Sequence, residues 1–143
     1  MFDMQFHAEM FARLLLATAF GSLIGYERER AGKPAGVRTH GMVALGAALF
    51  TVVSTGGFAG GDPARVAAQV VTGIGFLGAG AILHMRGSVH GLTTAASLWV
   101  TAAIGVSVGV GMFLMSFETA VLVFLLLRFG PRPKPKIPSD DTE

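Results

Sequence analysis

The sequence predicts an all-α, polytopic membrane protein with about five transmembrane helices, its N-terminus outside and its C-terminus in the cytoplasm. Hydrophobic residues make up 52% of the 143 residues and charged residues only 14%, whereas a soluble domain carries about 25% charged residues. Apolar runs of about 20 residues, the length that crosses a ~30 Å hydrocarbon core, alternate with short charged segments. The chain also holds 20 glycines, which allow helices to approach closely in lipid.

The predicted spans follow from the positions of the charged residues. The Glu9–Arg13 pair, one helical turn apart, extends the first apolar run outward. The segment from Gly87 to Phe117 contains no Asp, Glu, Lys or Arg and is too long for one span, so we place a very short turn in the glycine-rich stretch Gly105–Gly111. The spans are then expected at about residues 9–26, 40–59, 66–85, 92–110 and 111–128.

The basic residues predict the orientation. With five spans and the N-terminus outside, nine Lys and Arg residues face the cytoplasm, and only Arg13 and Arg65 face outward. This asymmetry is what the positive-inside rule requires, and a four-span arrangement would place the basic tail outside. Residues 1–130 are therefore expected to form the membrane domain, and the Pro-rich, polar residues 131–143 a disordered cytoplasmic tail.

Small residues predict how the helices pack. Gly21 and Gly25 in the first span, and Gly105 and Gly109 in the fourth, form GxxxG pairs. Packing within one subunit is the favoured interpretation, with dimerisation or a polar pathway as alternatives. The G-x-G-x-x-G string in Gly73–Gly80 lies mid-span without a βαβ context, which argues against a dinucleotide site. Basic residues lie in loops and the tail rather than on one face, so no nucleic-acid partner is expected.

The first polar cluster is the inner loop between spans one and two. It contains Glu27, Arg28, Arg38, Thr39 and His40. One interpretation is an interfacial loop whose charges fix the orientation of the chain. The other is a docking or anion-binding surface, because Arg38 and Thr39 begin a helix and helix N-termini favour anions.

The second cluster follows the second span. Asp62 followed by Pro63 is typical of a helix N-cap with proline at the first helical position. Alternatively, Asp62 and Gln69, two turns deeper, form an outer mouth for a cation. Mg²⁺ would suit it, since that ion is held by one or two carboxylates together with water.

The third cluster is embedded in the membrane. A charged group within a span is a functional hypothesis, because burying charge in hydrocarbon is costly. Glu118 could pair with an internal donor such as Thr51, Ser97 or Thr101, or lie near the outer interface. Asp62 and Glu118 are thus the metal-site candidates. The other members of the cluster are His84, His90, Thr93 and Thr94.

Enzymatic chemistry is not expected. The sequence has no cysteine, and no nucleophile–base constellation, paired carboxylates or metal-ligand spacing occurs along it. We therefore expect no catalytic residues and no cofactor, with Mg²⁺ as the one ion to consider.

Several strings resemble the MgtC/SapB family of bacterial inner-membrane proteins. They are Leu23–Arg30 (LIGYERER), Lys33–His40 (KPAGVRTH), Asp62–Arg65 (DPAR), Gln69–Ile82 (QVVTGIGFLGAGAI) and Gly91–Gly105 (GLTTAASLWVTAAIG). The resemblance covers about residues 12–128. It implies five spans, the bacterial inner membrane, and links to low-magnesium growth, virulence, acid tolerance and inhibition of the ATP synthase. It also marks as functional candidates Glu27, Arg28, Arg38, Thr39, His40, Asp62, Arg65, Gln69, Thr93, Thr94, Ser97 and Trp99.

Three functional hypotheses result. The first is a non-enzymatic regulator of a membrane complex, such as the ATP synthase, under magnesium or acid stress. The alternative is a transporter or channel component for Mg²⁺ or another ion, acting through a homo-oligomer because five short helices enclose little pore. The third is a structural subunit of a larger assembly. The resemblance implies a C-terminal cytoplasmic domain in the longer family members, and we expect it to be absent here because nothing globular fits after Arg128.

Overall fold

Five α-helices and one β-hairpin make up the part of the chain that the structure describes. The structure is a computed structural model, and it describes residues 3–57, 62–85 and 88–131. The helices are α1 (Met4–Arg30), α2 (Val37–Gly56), α3 (Pro63–Gly80), α4 (Leu92–Gly109) and α5 (Phe113–Phe129). The strands β1 (Leu83–Met85) and β2 (Ser88–His90) pair antiparallel. The all-α class and the five helices are confirmed, and the predicted tail from residue 132 lies outside the described residues.

The third helix is shorter than the predicted span. That span was placed at residues 66–85, but α3 ends at Gly80, and Leu83–Met85 form β1. An apolar run alone does not distinguish a helix from a strand, and Gly78 and Gly80 weaken the helix where it ends. His84 and His90 therefore lie on the hairpin and not inside a span.

The helix ends are set by local contacts that the sequence partly predicts. Asp62 caps α3, because its side chain accepts a hydrogen bond of 2.9 Å from the backbone N–H of Ala64. Glu29, which belongs to α1, caps α2, because its carboxylate accepts a hydrogen bond of 3.0 Å from the backbone N–H of Val37. The predicted turn between α4 and α5 occupies residues 110–112 and uses Gly111 in the left-handed region, at φ 90°.

Helix α4 lies at the centre of the bundle and joins two hydrophobic clusters. One cluster combines α1, α2, α4 and α5 around Ile24, Ala48, Ile104 and Ala120. The other combines α2, α3 and α4 around Ile74 and its neighbours. Helices α3 and α5 consequently lie on different sides of the central helices, and they share no interface within the described residues.

The helices alternate in direction, so the bundle has two ends. The basic end contains the α1–α2 connection, the hairpin and the end of α5, with Arg28, Arg38 and Arg128. The opposite end contains Asp62 and the α4–α5 turn. Helices α1, α2 and α4 are long and apolar enough to cross a membrane, and α3 is a shorter apolar helix.

Candidate functional site

Four polar side chains from three helices are buried together near the basic end. Arg28 of α1 is 6% exposed, His40 of α2 is 0% exposed, and Thr94 and Ser97 of α4 are 1% and 3% exposed. We call these four residues the polar cluster. It combines residues from three of the motifs, and the third of these motifs begins more than fifty positions after the second one ends.

Glycines bring the backbones of α1 and α2 close enough to enclose the cluster. A Cβ added at Gly21 would lie 2.7 Å from the Cβ of Ala44, and one added at Gly25 would lie 2.6 Å from the carbonyl oxygen of Gly36. Real Cβ atoms do not approach so closely, so any larger residue would force the helices apart. The stripe predicted on the first span therefore packs within the subunit.

Hydrogen bonds join the four side chains in pairs. Arg28 donates from Nη2 to Oγ1 of Thr94 at 2.8 Å, while its Nε is buried and has no partner among the described residues. His40 places Nδ1 3.1 Å from the carbonyl oxygen of Gly36 and Nε2 3.0 Å from Oγ of Ser97. Ser97 also lies 2.8 Å from the carbonyl oxygen of Thr94.

The cluster has two hydrogen-bond arrangements that differ by one proton. Nδ1 of His40 must donate, since the Gly36 carbonyl can only accept. If the single proton of the Ser97 hydroxyl goes to the Thr94 carbonyl, Nε2 must also carry a proton and His40 is an imidazolium. If that proton goes to Nε2, His40 is neutral. The protonation of His40 therefore determines which group the Ser97 hydroxyl donates to, and with it the direction of the hydrogen bond between α2 and α4.

The other predicted motif residues are distributed over the surface or lie beside the cluster. Glu27 is buried next to Arg28. Arg38, Arg65 and Thr93 are exposed, and Trp99 is 53% exposed on the outer face of α4. Thr39 and Gln69 line a groove between α2 and α3. The side chain of His84 lies outside the description, and His90 is exposed.

The two metal candidates are not brought together. Asp62 is exposed and caps α3, which confirms the capping interpretation. Glu118 is exposed on α5, so of the alternatives open for it, pairing with an internal donor is not what the structure shows. The three donors considered each bond a carbonyl of their own helix instead: Thr51, Ser97 and Thr101. Within residues 3–57, 62–85 and 88–131, no three His, Asp or Glu side chains are grouped so that they could hold a metal ion.

Two features were missed by the sequence reasoning. Arg13 donates to the carbonyl oxygen of Gly109 at 2.7 Å as well as to Glu9, so it ties α1 to the end of α4. The groove between α2 and α3, with a volume of about 560 Å³, was not foreseen. The sequence signal for the first feature was the position of Arg13, a charged residue one turn inside the first predicted span. Nothing local signals the second, because it depends on how α3 is tilted against α2.

Comparison with known proteins decides the family. The sequence profile of the MgtC family matches residues 14–134. The chain belongs to the MgtC family. It is 49% identical over 128 residues to the Escherichia coli K12 protein named "Putative magnesium transporter YhiD", covering 84% of this chain and 60% of that protein. It is 45% identical over 118 residues to the Salmonella typhimurium LT2 protein named "Protein MgtC", covering 80% and 51%.

The MgtC-family relatives are longer than this chain. A Haemophilus influenzae protein is 40% identical over 135 residues, which cover 87% of this chain and 57% of that protein. The chain thus matches between half and three fifths of the length of these relatives. No solved structure matches it. The family and the apolar helices establish a membrane protein.

Proposed function

We propose that this MgtC-family chain is a non-enzymatic protein of the bacterial inner membrane that regulates another membrane complex when magnesium is scarce or the cell is acidified. The proposed partner is the ATP synthase. All five helices span the bilayer, with the basic end in the cytoplasm, in keeping with the distribution of Lys and Arg.

The observation that carries this proposal is the closed interior of the bundle. A Cβ added at Gly105 would lie 2.8 Å from the Cβ of Ala47, and one added at Gly109 would lie 2.7 Å from the Cβ of Thr51. Backbones in such contact leave no space between α2 and α4 for an ion, still less for a hydrated Mg²⁺, which gives up its water reluctantly. A chain whose interior is filled acts through its surfaces.

The polar cluster supports the basic end of the bundle as the surface that contacts the partner complex. It joins α1, α2 and α4 beside the α1–α2 connection, which carries Lys33, and the first turn of α2, which carries Arg38. Both side chains are exposed. We infer that acidification acts at this end through the His40–Ser97 contact, because the direction of that hydrogen bond depends on one proton. A docking surface at this end would then respond to acidity.

The test is ATP-driven proton pumping in inverted membrane vesicles from cells that lack or contain the protein. The proposal expects slower pumping when the protein is present, with Arg38→Ala restoring the rate. Arg65→Ala, which removes an exposed charge from the opposite end of the bundle, should leave the inhibition in place. Equal pumping rates with and without the protein would refute the ATP synthase as partner.

Magnesium transport is the second candidate. It is favoured by the printed name of the Escherichia coli relative and by Asp62, the N-cap of α3, which precedes by two turns Gln69 in the lining of the groove. A pathway of this kind would run along the outside of α3 and not through the bundle. It predicts saturable Mg²⁺ entry that falls in Asp62→Asn and Gln69→Leu, and Glu118→Gln tests the other acidic candidate.

A further inference from the structure

We propose that copies of this chain assemble side by side in the membrane, with α5 of one copy seated in the groove between α2 and α3 of the next and Glu118 paired with the neighbour's Arg65. The proposal goes beyond the regulatory function and does not depend on it. It commits to a second copy of this chain as the occupant of the groove.

The groove is a set of unfilled positions on an otherwise closely packed bundle. Gly46 of α2 and Gly73 of α3 line it, and a Cβ added at either would meet nothing within 4 Å. Gly21, Gly25 and Gly105, in contrast, have no room for a Cβ. Small residues in lipid allow another helix to approach closely, and these two have no helix against them within the described residues.

Helix α5 has the complementary shape. Only Ser116 and Ala120 are buried on it. The opposite face carries bulky side chains at intervals of one turn, on the same stripe as Glu118. They are largely exposed, Leu126 to 70% for example, and the stripe consists of Leu114, Leu122, Leu126 and Phe129.

Opposite charges accompany these two faces. Glu118 is exposed on α5 and Arg65 is exposed on α3. Neither side chain has a hydrogen bond or ion pair within the described residues. A carboxylate that faces hydrocarbon alone is costly, and pairing it removes most of that cost. Because α3 and α5 share no substantial interface among the described residues, Arg65 can reach Glu118 only from a neighbouring copy.

The two charges also lie at similar depth. A Cβ on Gly78 would lie 3.7 Å from the Cβ of Ala95, and the antiparallel course of α3 and α4 then puts Arg65 level with about residue 108. Ser116 bonds Ser107 at 2.9 Å, which puts Glu118 level with about residue 105. The difference of about three residues is roughly 5 Å along the bundle, and the flexible arginine side chain can span it.

Such a contact joins two different surfaces, so it is heterologous. It leaves a free groove on one copy and a free α5 on the other, and further copies can add until a ring closes. A symmetric α5–α5 dimer would instead bring two Glu118 side chains together without a basic partner, and it would leave the groove empty. The charges and shapes of the same chain therefore favour the α5-in-groove contact.

The experiment is cross-linking of cysteines between two differently tagged copies in proteoliposomes with a bifunctional thiol reagent, because a direct disulfide needs Cα atoms within about 7 Å and cysteine lacks the reach of arginine. The natural chain has no cysteine, so Arg65→Cys in one copy and Glu118→Cys in the other report this contact alone. The proposal expects a cross-link that joins the two tags. Phe11→Cys, which is 62% exposed on α1 at the same end, is the collision control and should cross-link with Arg65→Cys several-fold less. Equal yields with Phe11→Cys, or cross-links chiefly between two Glu118→Cys copies, would overturn the proposal.

A charge exchange gives a second, independent measurement. The oligomeric fraction in bilayers, counted by single-molecule photobleaching, should fall in Arg65→Glu and in Glu118→Arg, and it should recover when both changes are in every copy. A wild-type chain that is monomeric at all protein-to-lipid ratios would show that lipid covers the groove. Failure of the double variant to recover, with cross-linking also absent, would refute the pairing.

Discussion

Replacing Thr94 by Val removes the hydroxyl that accepts from Arg28 and leaves the shape of the side chain nearly unchanged. The 2.8 Å bond is buried at both ends, and Nε of the same guanidinium already has no partner in the described residues. Loss of the bond thus leaves a buried charged donor unsatisfied, which costs about 2–3 kcal/mol. For a chain of this length, that corresponds to a fall in the unfolding midpoint of roughly 5–10 °C.

Thermal unfolding of the purified protein in mild detergent, followed by the loss of monodisperse protein on heating, measures this effect. Thr93→Val is the matched control. It makes the same change at the preceding position, where the side chain is exposed, and it should shift the midpoint by less than about 2 °C. Combining Thr94→Val with Arg28→Met should recover part of the loss, because both partners are then apolar. If the two valine variants unfold at the same temperature, the Arg28–Thr94 bond does not stabilise the bundle.

Other changes test the packing, the turn and the cap. Gly105→Ala should lower the free energy of unfolding by about 1–3 kcal/mol, because its Cβ meets the backbone of α2. Gly75→Ala, which has open space around it, should leave stability unchanged or raise it. Equal unfolding midpoints for the two variants would contradict the close packing of α2 against α4. Arg13→Leu should speed hydrogen exchange at residues 110–112 through loss of the bond to Gly109, and unchanged exchange would contradict that role. Asp62→Ala should lower the free energy of unfolding by about 1 kcal/mol, because α3 loses its cap. Mg²⁺ should not stabilise the wild type. An unfolding midpoint that rises with Mg²⁺ would instead indicate a metal site.

Composition and spacing predict the helices well because lipid imposes length and polarity on any spanning segment. The α4–α5 turn falls within the predicted glycine-rich stretch, and the GxxxG stripes on α1 and α4 pack where small residues were expected. The hairpin was not predictable in the same way. The third apolar run continues to Met85, interrupted only by His84, and hydropathy carries no information on whether the end of such a run is helix or strand.

The candidate site could not be predicted from the sequence, because its contacts join residues that are far apart in the chain. Arg28 and Thr94 are 66 positions apart, and the motifs that contain them indicate that both matter without indicating that they bond. The sequence also does not show whether the side chain of Glu118 faces the bundle or the outside. Helix α5 is apolar on all sides, so its sequence does not show which face meets α1 and α4. Only the two small buried residues, Ser116 and Ala120, mark the inner face, and they do so once the packing is known.

Mg²⁺ entry into proteoliposomes that contain the purified chain, followed with an entrapped magnesium-sensitive dye, distinguishes regulation from transport most directly. The closed interior between α2 and α4 predicts a trace equal to that of empty liposomes at every Mg²⁺ concentration, for the wild type and for Asp62→Asn alike. Saturable entry by the wild type that falls in Asp62→Asn would contradict the regulatory function and establish this chain as a magnesium transporter.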